Sequence, residues 1–477
     1  MDKSYARLGL YIDGAWRDAA TSAPIIDPAT GEEIGRVPHA SVADLDAALA
    51  AAQRGFDAWS AMGVDRRTPI LKKAVSLLRD RAETIGAIMS REQGKPTAEG
   101  TAEVLRSAAL LEWDIEEGRR LYGRIIPGAA GMANSVVRLP IGPVAAFTPW
   151  NFPASIPARK LGALAAGCSV ILKAAEETPG TACEMVRCFE EAGLPAGALN
   201  LVFGNPAQIS AYLIASPVIR MVTLTGSVPV GKLVAAQAAA EMKPAVMELG
   251  GHAPVIVCAD AAPETVARAA VMAKFRNAGQ ICTCPTRFFV HRSLYERFLS
   301  TFADGARSLR VGPGSDPQSQ MGPLATERRV EAVDSLIADA IGRGARLVAG
   351  GTRRKGPGYY YEPTILADVP PGSRALHEEP FGPIALVLAF DELEEAIAAA
   401  NAVPYALASY AFTDSARNID LLTRTLDAGL LSVNHFGASQ PEGPFGGVKD
   451  SGLGQEGGIE GLHAFTTLKY IQLKTAA

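Results

Sequence analysis

The sequence predicts an α/β protein built on parallel sheets. From about residue 140, short β-rich runs alternate with helical stretches, and a second alternating block runs from about 253 to about 450. Alternation of this kind buries a parallel sheet beneath right-handed crossovers. A third observation, β-type sequence at 122–142 and again in the tail, adds a small separate β unit. The chain has 477 residues and is 48% hydrophobic, enough for two or three domains.

The first segments, YIDGAW and IIDPATGEEIGRVP, read as short strands joined by Asp-Pro and Thr-Gly turns. From Ser41 the pattern becomes helical: SVADLDAALAAAQRGFDAW has a Ser cap and apolar residues three and four apart. DRRTPILKKAVSLLRDRAETIGAIMSREQGKP continues it and stops at Gly94 and Pro96. YGRIIPGAAGMANSVVRLPIG, 122–142, reads as a long inserted β-hairpin. VAAFTPW, a helix at 156–166, CSVILK, a helix at 180–192, ALNLVFG, MVTLTGS, a helix at 229–242 and AVMELGG follow. Such sheets bind ligands at the carboxyl ends of their strands. The tail AFTTLKYIQLKTAA ends as a strand. A projecting hairpin and a terminal strand with few core partners suit oligomer contacts; the alternative is a solvated flap.

Net charge is −4 and no Lys/Arg run stands out, so neither nucleic acid nor an anionic membrane is an expected partner. MDKSYARLGLYIDGAW has no apolar signal core, and no segment approaches the ~18 apolar residues of a membrane span. A cytoplasmic protein is expected. Of six cysteines, Cys168 and Cys258 lie in apolar runs and read as packed core thiols. The six histidines are scattered, with no HExxH and no second Cys/His pair at zinc-like spacing, so no metal site is expected.

Several short motifs bear on chemistry. GLGQEGG, 452–458, matches GxGxxG, but too little chain follows it for a βαβ unit, and it reads as a loop. In TLTGSVPVG, Gly226 and Gly231 follow an apolar strand and open a helix, a geometry that suits dinucleotide phosphates. In ILKAAEETP, Lys173 and Glu176 sit just past a strand. There a lysine can hold a ribose or phosphate oxygen, and a carboxylate can accept both ribose hydroxyls and repel a 2′-phosphate. The bland reading is a solvated helix start. MELGGHAP puts Glu248 at a loop mouth before two glycines, a place for a general base. RNAGQICTCPTR sets Cys282 and Cys284 two apart; a metal site, a disulfide, a nucleophile and ordinary buried thiols are the candidates. PWNFP supplies Asn151, whose side-chain amide can stabilise an oxyanion. A thiol, a carboxylate, an amide donor and a nucleotide site together describe aldehyde oxidation through a thioester.

Taken in order, PWNFP, LKAAEETP, LTGSVPVG, MELGG, NAGQIC, EEPFGP and PFGGVKDSG resemble the NAD(P)-dependent aldehyde dehydrogenases over essentially the whole chain. The resemblance implies an aldehyde dehydrogenase-like α/β fold. Its parts would be a Rossmann-like cofactor domain (1–121 and 141–249), an α/β catalytic domain (250–450) and a small β oligomerisation arm (122–140 and 462–477) that builds a homodimer or homotetramer. It makes Cys282 the nucleophile and Glu248 the general base, with Asn151 and the Cys282 backbone N–H as the oxyanion hole. Lys173 and Glu176 would hold the adenosine ribose. Trp150, Gly226, Ser227 and Gly231 would line the adenine and pyrophosphate part, and Glu379 and Phe381 would fix the nicotinamide riboside.

The substrate follows from the semialdehyde branch. There, arginines placed as Arg159 and Arg276 bind the far carboxylate of the substrate, a role bidentate pairing explains. The serine contact of the succinate-semialdehyde members falls at Gln440, beside Ser439. CPTR after the nucleophile looks more like the α-ketoglutarate-semialdehyde enzymes, whereas Cys284 looks like the succinate-semialdehyde ones. Succinate semialdehyde and 2,5-dioxopentanoate are both expected candidates. In some relatives the nucleophile and the cysteine two residues on form a redox-controlled disulfide, which makes Cys284 a redox candidate. Glu176 favours NAD, with NADP as the alternative. The rival readings are an aldehyde dehydrogenase for a non-carboxylated aldehyde, a CoA-acylating enzyme, which would lack the Glu248-type base, and a thiol hydrolase pairing Cys282 with His252 or His435.

Overall fold

The structure, a computed structural model, describes residues 5–474. Ser41 caps the helix Val42–Ala61 as its sequence predicts. Its hydroxyl accepts from the Asp44 N–H at 3.2 Å, and the Asp44 carboxylate accepts from the Ser41 N–H at 2.9 Å. Such a reciprocal cap is worth about 1 kcal/mol. The single helical stretch expected after it divides into Val64–Asp80 and Ala82–Gln93. The second piece stops where Gly94 takes φ 96, a conformation glycine adopts without a Cβ penalty.

The first sheet has five parallel strands in the order Leu199–Val202, Val170–Lys173, Val144–Phe147, Met221–Thr225 and Ala245–Glu248. They are almost wholly buried, as continuous apolar runs such as CSVILK require. The strand order reverses beside Val144–Phe147: the next two parallel strands in sequence lie on one side, the last two on the other. Ligand crevices open at such switch points. Leu10–Ile12 adds an antiparallel edge on one flank and Gly452–Leu453 on the other.

The second sheet runs Arg346–Ala349, Thr364–Ala367, Ile384–Phe390, Pro285–His291, Ala253–Val257, Ala408–Phe412 and Leu430–Val433, parallel except at its first pair. Each sheet carries its own apolar core. The expected hairpin is present as Arg124–Ile126 and Met132–Pro140, and the tail strand Thr466–Lys474 pairs along the whole of Met132–Pro140. Residues 475–477 of the expected tail lie outside the described residues.

GLGQEGG is not simply a loop. Gly452–Leu453 pairs antiparallel with Met247 and Glu248, and Gly458–Ala464 forms a short helix. Positive φ values at Gly454, Gly457 and Gly458 turn the chain between them. A two-residue strand is too short to show periodicity, so the pattern concealed it. Among the described residues no helix is long and apolar enough to cross a membrane, and no cluster of His, Cys, Asp and Glu could hold a metal. Cys168 and Cys258 are buried free thiols.

Candidate active site

The loop that presents the first thiol is bent by its backbone. After the helix Pro263–Phe275, residues Asn277, Ala278 and Gly279 take φ values of 48, 52 and 73. A Cβ on Gly279 would lie 2.2 Å from the Gly382 carbonyl oxygen, so only glycine fits there. Gln280 pins the bend: its side-chain amide donates to the Asn277 carbonyl and accepts from the Ala325 N–H, each at 3.0 Å. Cys282 emerges partly exposed while Cys284 is buried. Burial, then the negative charges of Glu379 and Glu248, push the Cys282 thiol up to about 12. Lys274 Nζ donates to Cys284 Sγ at 3.2 Å, and that thiol lies 3.5 Å from the Lys274 carbonyl. Both cysteines are free, with no disulfide between them.

Glu248 ends the strand Ala245–Glu248 with its carboxylate buried and both oxygens lacking a hydrogen-bond partner. Burial, then the negative Glu456, hold its pKa well above the usual carboxylate range, against the opposing charges of Lys160 and Arg159. Glu456 is itself tied to the buried Lys160 ammonium. An unpartnered buried carboxylate is costly structurally, and such groups cluster where a proton has to be moved.

Asn151 follows the strand Val144–Phe147. Its Nδ2 donates to the Gln280 carbonyl at 3.1 Å, and its own carbonyl accepts from Lys95 Nζ at 2.9 Å and Asn277 Nδ2 at 3.0 Å. Asn151 is buried, and the Gln280 carbonyl takes one of its two Nδ2 hydrogens. A buried Lys95–Glu103 ion pair, 2.5 Å long, supports this loop, and Glu103 also accepts the Ala154 and Ser155 N–H groups. Nothing in the sequence marked Lys95 or Glu103; GKP reads only as a helix stop.

The nucleotide candidates form two groups. Lys173 Nζ bonds Glu176 at 2.7 Å, and Glu176 also accepts the Gly204 N–H at 2.9 Å, so both stand fixed at the strand ends. Ser227 makes no side-chain cap on the helix Val228–Ala240, which leaves the N-terminal N–H groups of that helix open toward the crevice. A Cβ on Gly231 would lie 2.2 Å from Leu249 Cδ2, so glycine seats this helix against the strand end. Gly226 donates its N–H to the Glu248 carbonyl at 3.0 Å. In the second group, Glu379 accepts the Gly251 N–H at 3.0 Å, and burial pushes its carboxyl up to about 7. A Cβ on Gly250 would lie 2.3 Å from a Glu379 oxygen, which gives the Gly-Gly pair a second reason. Trp150 and Phe381 meet edge to face, 5.6 Å apart. An anchored Lys–Glu pair at the strand ends, an uncapped helix start and an edge-packed aromatic pair are compatible with a dinucleotide.

Cys282 and Glu248 open onto one cavity of about 350 Å³ between the two halves of the fold, and Arg159, Arg276, Ser439 and Gln440 also line it. Arg159 Nη2 donates to Ser439 Oγ at 2.6 Å and its guanidinium lies over the Phe445 ring at 4.6 Å. Its Nη1 is buried without a partner. Arg276 sits over Phe152 at 5.8 Å. The structure adds Arg106, which lines the same cavity and bonds the Ser439 carbonyl. It lies in mid-helix, in Thr97–Gly118, within no motif, so no sequence signal pointed to it. Neither histidine of the hydrolase reading reaches the cavity. His252 bonds Thr286 at 2.7 Å and Ala375 at 3.1 Å, and His435 accepts the Gly437 N–H at 3.0 Å.

Two α/β halves, a nucleotide crevice at a switch point and a thiol facing a buried carboxylate define a nucleotide-dependent α/β enzyme. The chain belongs to the Aldehyde dehydrogenase family, which matches residues 16–471. It is 48% identical to a 4-(hydroxymethyl)benzenesulfonate dehydrogenase of Comamonas testosteroni, over 97% of both chains. It is 38% identical to a 3-sulfolactaldehyde dehydrogenase of Pseudomonas putida, over 99% of this chain and 98% of that one. The solved succinate-semialdehyde dehydrogenase of Burkholderia pseudomallei superposes with a TM-score of 0.97 at 39% identity, over 99% of each chain. Members of the family use NAD(P).

Proposed function

We propose that the chain oxidises an aldehyde bearing an anion at its far end to the corresponding acid, with NAD(P) as oxidant. An ω-carboxylated semialdehyde such as succinate semialdehyde or 2,5-dioxopentanoate is the first substrate class. The observation that carries this reading is the placing of Arg159 and Arg276 in the one cavity that also holds Cys282 and Glu248. A guanidinium with a buried, unpartnered Nη1 calls for an acceptor, and a carboxylate supplies it. A sulfonated aldehyde is the second reading, favoured by the additional guanidinium of Arg106 and by the sulfonated substrates for which two relatives are named.

Cys282 gives up its thiol proton to solvent and its Sγ adds to the aldehyde carbon. The Cys282 N–H and the second Nδ2 hydrogen of Asn151 stabilise the resulting oxyanion. Lys173, Glu176, Glu379 and the aromatic pair Trp150–Phe381 would hold NAD(P), which would accept the hydride that the carbon loses as the thioester forms. Glu248 takes a proton from water, the water oxygen attacks the thioester, and the carbon–sulfur bond breaks to release acid and thiolate. Glu176, locked by Lys173 and Gly204, favours NAD over a 2′-phosphorylated cofactor. Six free thiols suit a reducing cytoplasm. The arm, with Ile125, Leu468 and Leu473 exposed, serves a homodimer or homotetramer.

The test is NADH formation with succinate semialdehyde, 2,5-dioxopentanoate, 4-formylbenzenesulfonate, betaine aldehyde and propanal. Preference for the anionic members is expected. Equal or better turnover of propanal or betaine aldehyde overturns the anion reading and leaves the dehydrogenase chemistry standing.

A further inference from the structure

Three guanidinium groups, not two, crowd the far end of the cavity. Arg106 and Arg159 are anchored on the same residue, one on the Ser439 carbonyl and the other on its hydroxyl. Arg276, which lies over Phe152, completes the group. The like charges act on one another: besides desolvation, Arg159 and Arg276 hold the Arg106 guanidinium below its usual range. The neighbouring acids offset them only in part, Asp114 acting on Arg159, Glu99 on Arg276 and Glu103 on Arg106. Glu103 is taken by Lys95 and two backbone N–H groups, Glu456 by Lys160, and Glu99 accepts the Asn277 N–H at 3.1 Å while facing both Lys95 and Arg276. A planar carboxylate offers two oxygens, which Arg159 and Arg276 suffice to hold. The third donor is left over.

We propose that Arg106 is a specificity-determining residue that contacts the third oxygen of a tetrahedral anion, so that the site is matched to sulfonated aldehydes more closely than to carboxylated ones. This rests on the anion reading of the cavity above. A sulfonate spreads one charge over three oxygens arranged as a tripod, and its weak hydration lets it enter a wall built of Phe152, Phe445 and Tyr410. Arg106 is exposed, but its bond to the Ser439 carbonyl also holds that loop, so the lysine variant and the carboxylate control are needed to separate recognition from positioning.

The experiment compares 4-formylbenzenesulfonate with 4-formylbenzoate, which differ only in the anion, and uses benzaldehyde as a neutral reference. The wild type is expected to favour the sulfonate at least tenfold in kcat/KM. Arg106→Gln should raise the sulfonate KM about 10- to 100-fold, the range of one lost charge-assisted hydrogen bond, with kcat little changed and the carboxylate affected less than about threefold. Arg106→Lys keeps the charge but not the fork, and should lower the sulfonate-to-carboxylate ratio part of the way. A parallel loss for both anions, no loss for either, or an unchanged ratio in the lysine variant overturns the role of Arg106. Benzaldehyde turned over by the wild type as well as both anions overturns the anion site itself, which is a different result.

Discussion

At the scale of single residues, the site divides its chemistry between a thiol and a carboxylate whose pKa values are both raised. Both are pushed up by burial and by negative neighbours. A general base must be ionised to act, so a raised pKa means that the active fraction of Glu248 grows as pH rises and is lost as pH falls through a value above the ordinary glutamate range. The hydrolytic rate is therefore expected to climb as pH rises above the ordinary glutamate range, and a kcat profile flat from pH 5 to 9 would contradict that role. Glu248→Gln should cut steady-state turnover about 10²- to 10⁴-fold while leaving a first-turnover burst of NADH, because the thioester still forms and only its release is slowed. Cys282→Ala should abolish both the burst and the turnover, with cofactor affinity unchanged by fluorescence titration. These two residues stood out in the sequence because each sits in a glycine-bearing motif next to a strand, Glu248 at the end of one and Cys282 just before another. Lys95, Glu103 and Arg106 were not, because a buried pair and a third cation are set by which helix faces the cavity, and a linear pattern carries no such neighbour.

At the scale of elements, the two loops that matter are shaped by glycines whose missing side chains admit backbone. The helix over 228–240 and the alternation of strands were readable from periodicity. The bend at 277–279 was only hinted at by Gly-Gln, since left-handed φ at Asn277 and Ala278 follows from their hydrogen bonds rather than from residue type. Gly279→Ala meets both a positive φ and a carbonyl oxygen 2.2 Å away. It should cost about 1–3 kcal/mol in chemical denaturation and lower activity further by displacing Cys282. A variant of wild-type stability and activity would mean that the bend relaxes freely.

At the scale of the whole molecule, the three-stranded arm leaves Ile125 88% exposed and most of its outer strand open to solvent. A lone chain rarely presents such an edge, which invites pairing with another copy. Ile125→Glu together with Tyr470→Asp should shift light-scattering mass toward the monomer; an unchanged mass would assign the contact elsewhere. The hairpin and tail were legible as strands, but not their pairing with each other, which joins segments more than 300 residues apart. The same long reach governs Glu248. Its strand stays an open edge until Gly452–Leu453 docks beside it, and the Lys160 ammonium has no counter-ion until Glu456 arrives. On the ribosome, the cofactor half therefore waits for residues 452–456 to emerge. A nascent chain released before residue 456 carries every catalytic group yet exposes an unpaired strand and a buried cation, and quality control would meet it as a misfolded protein rather than a slow enzyme.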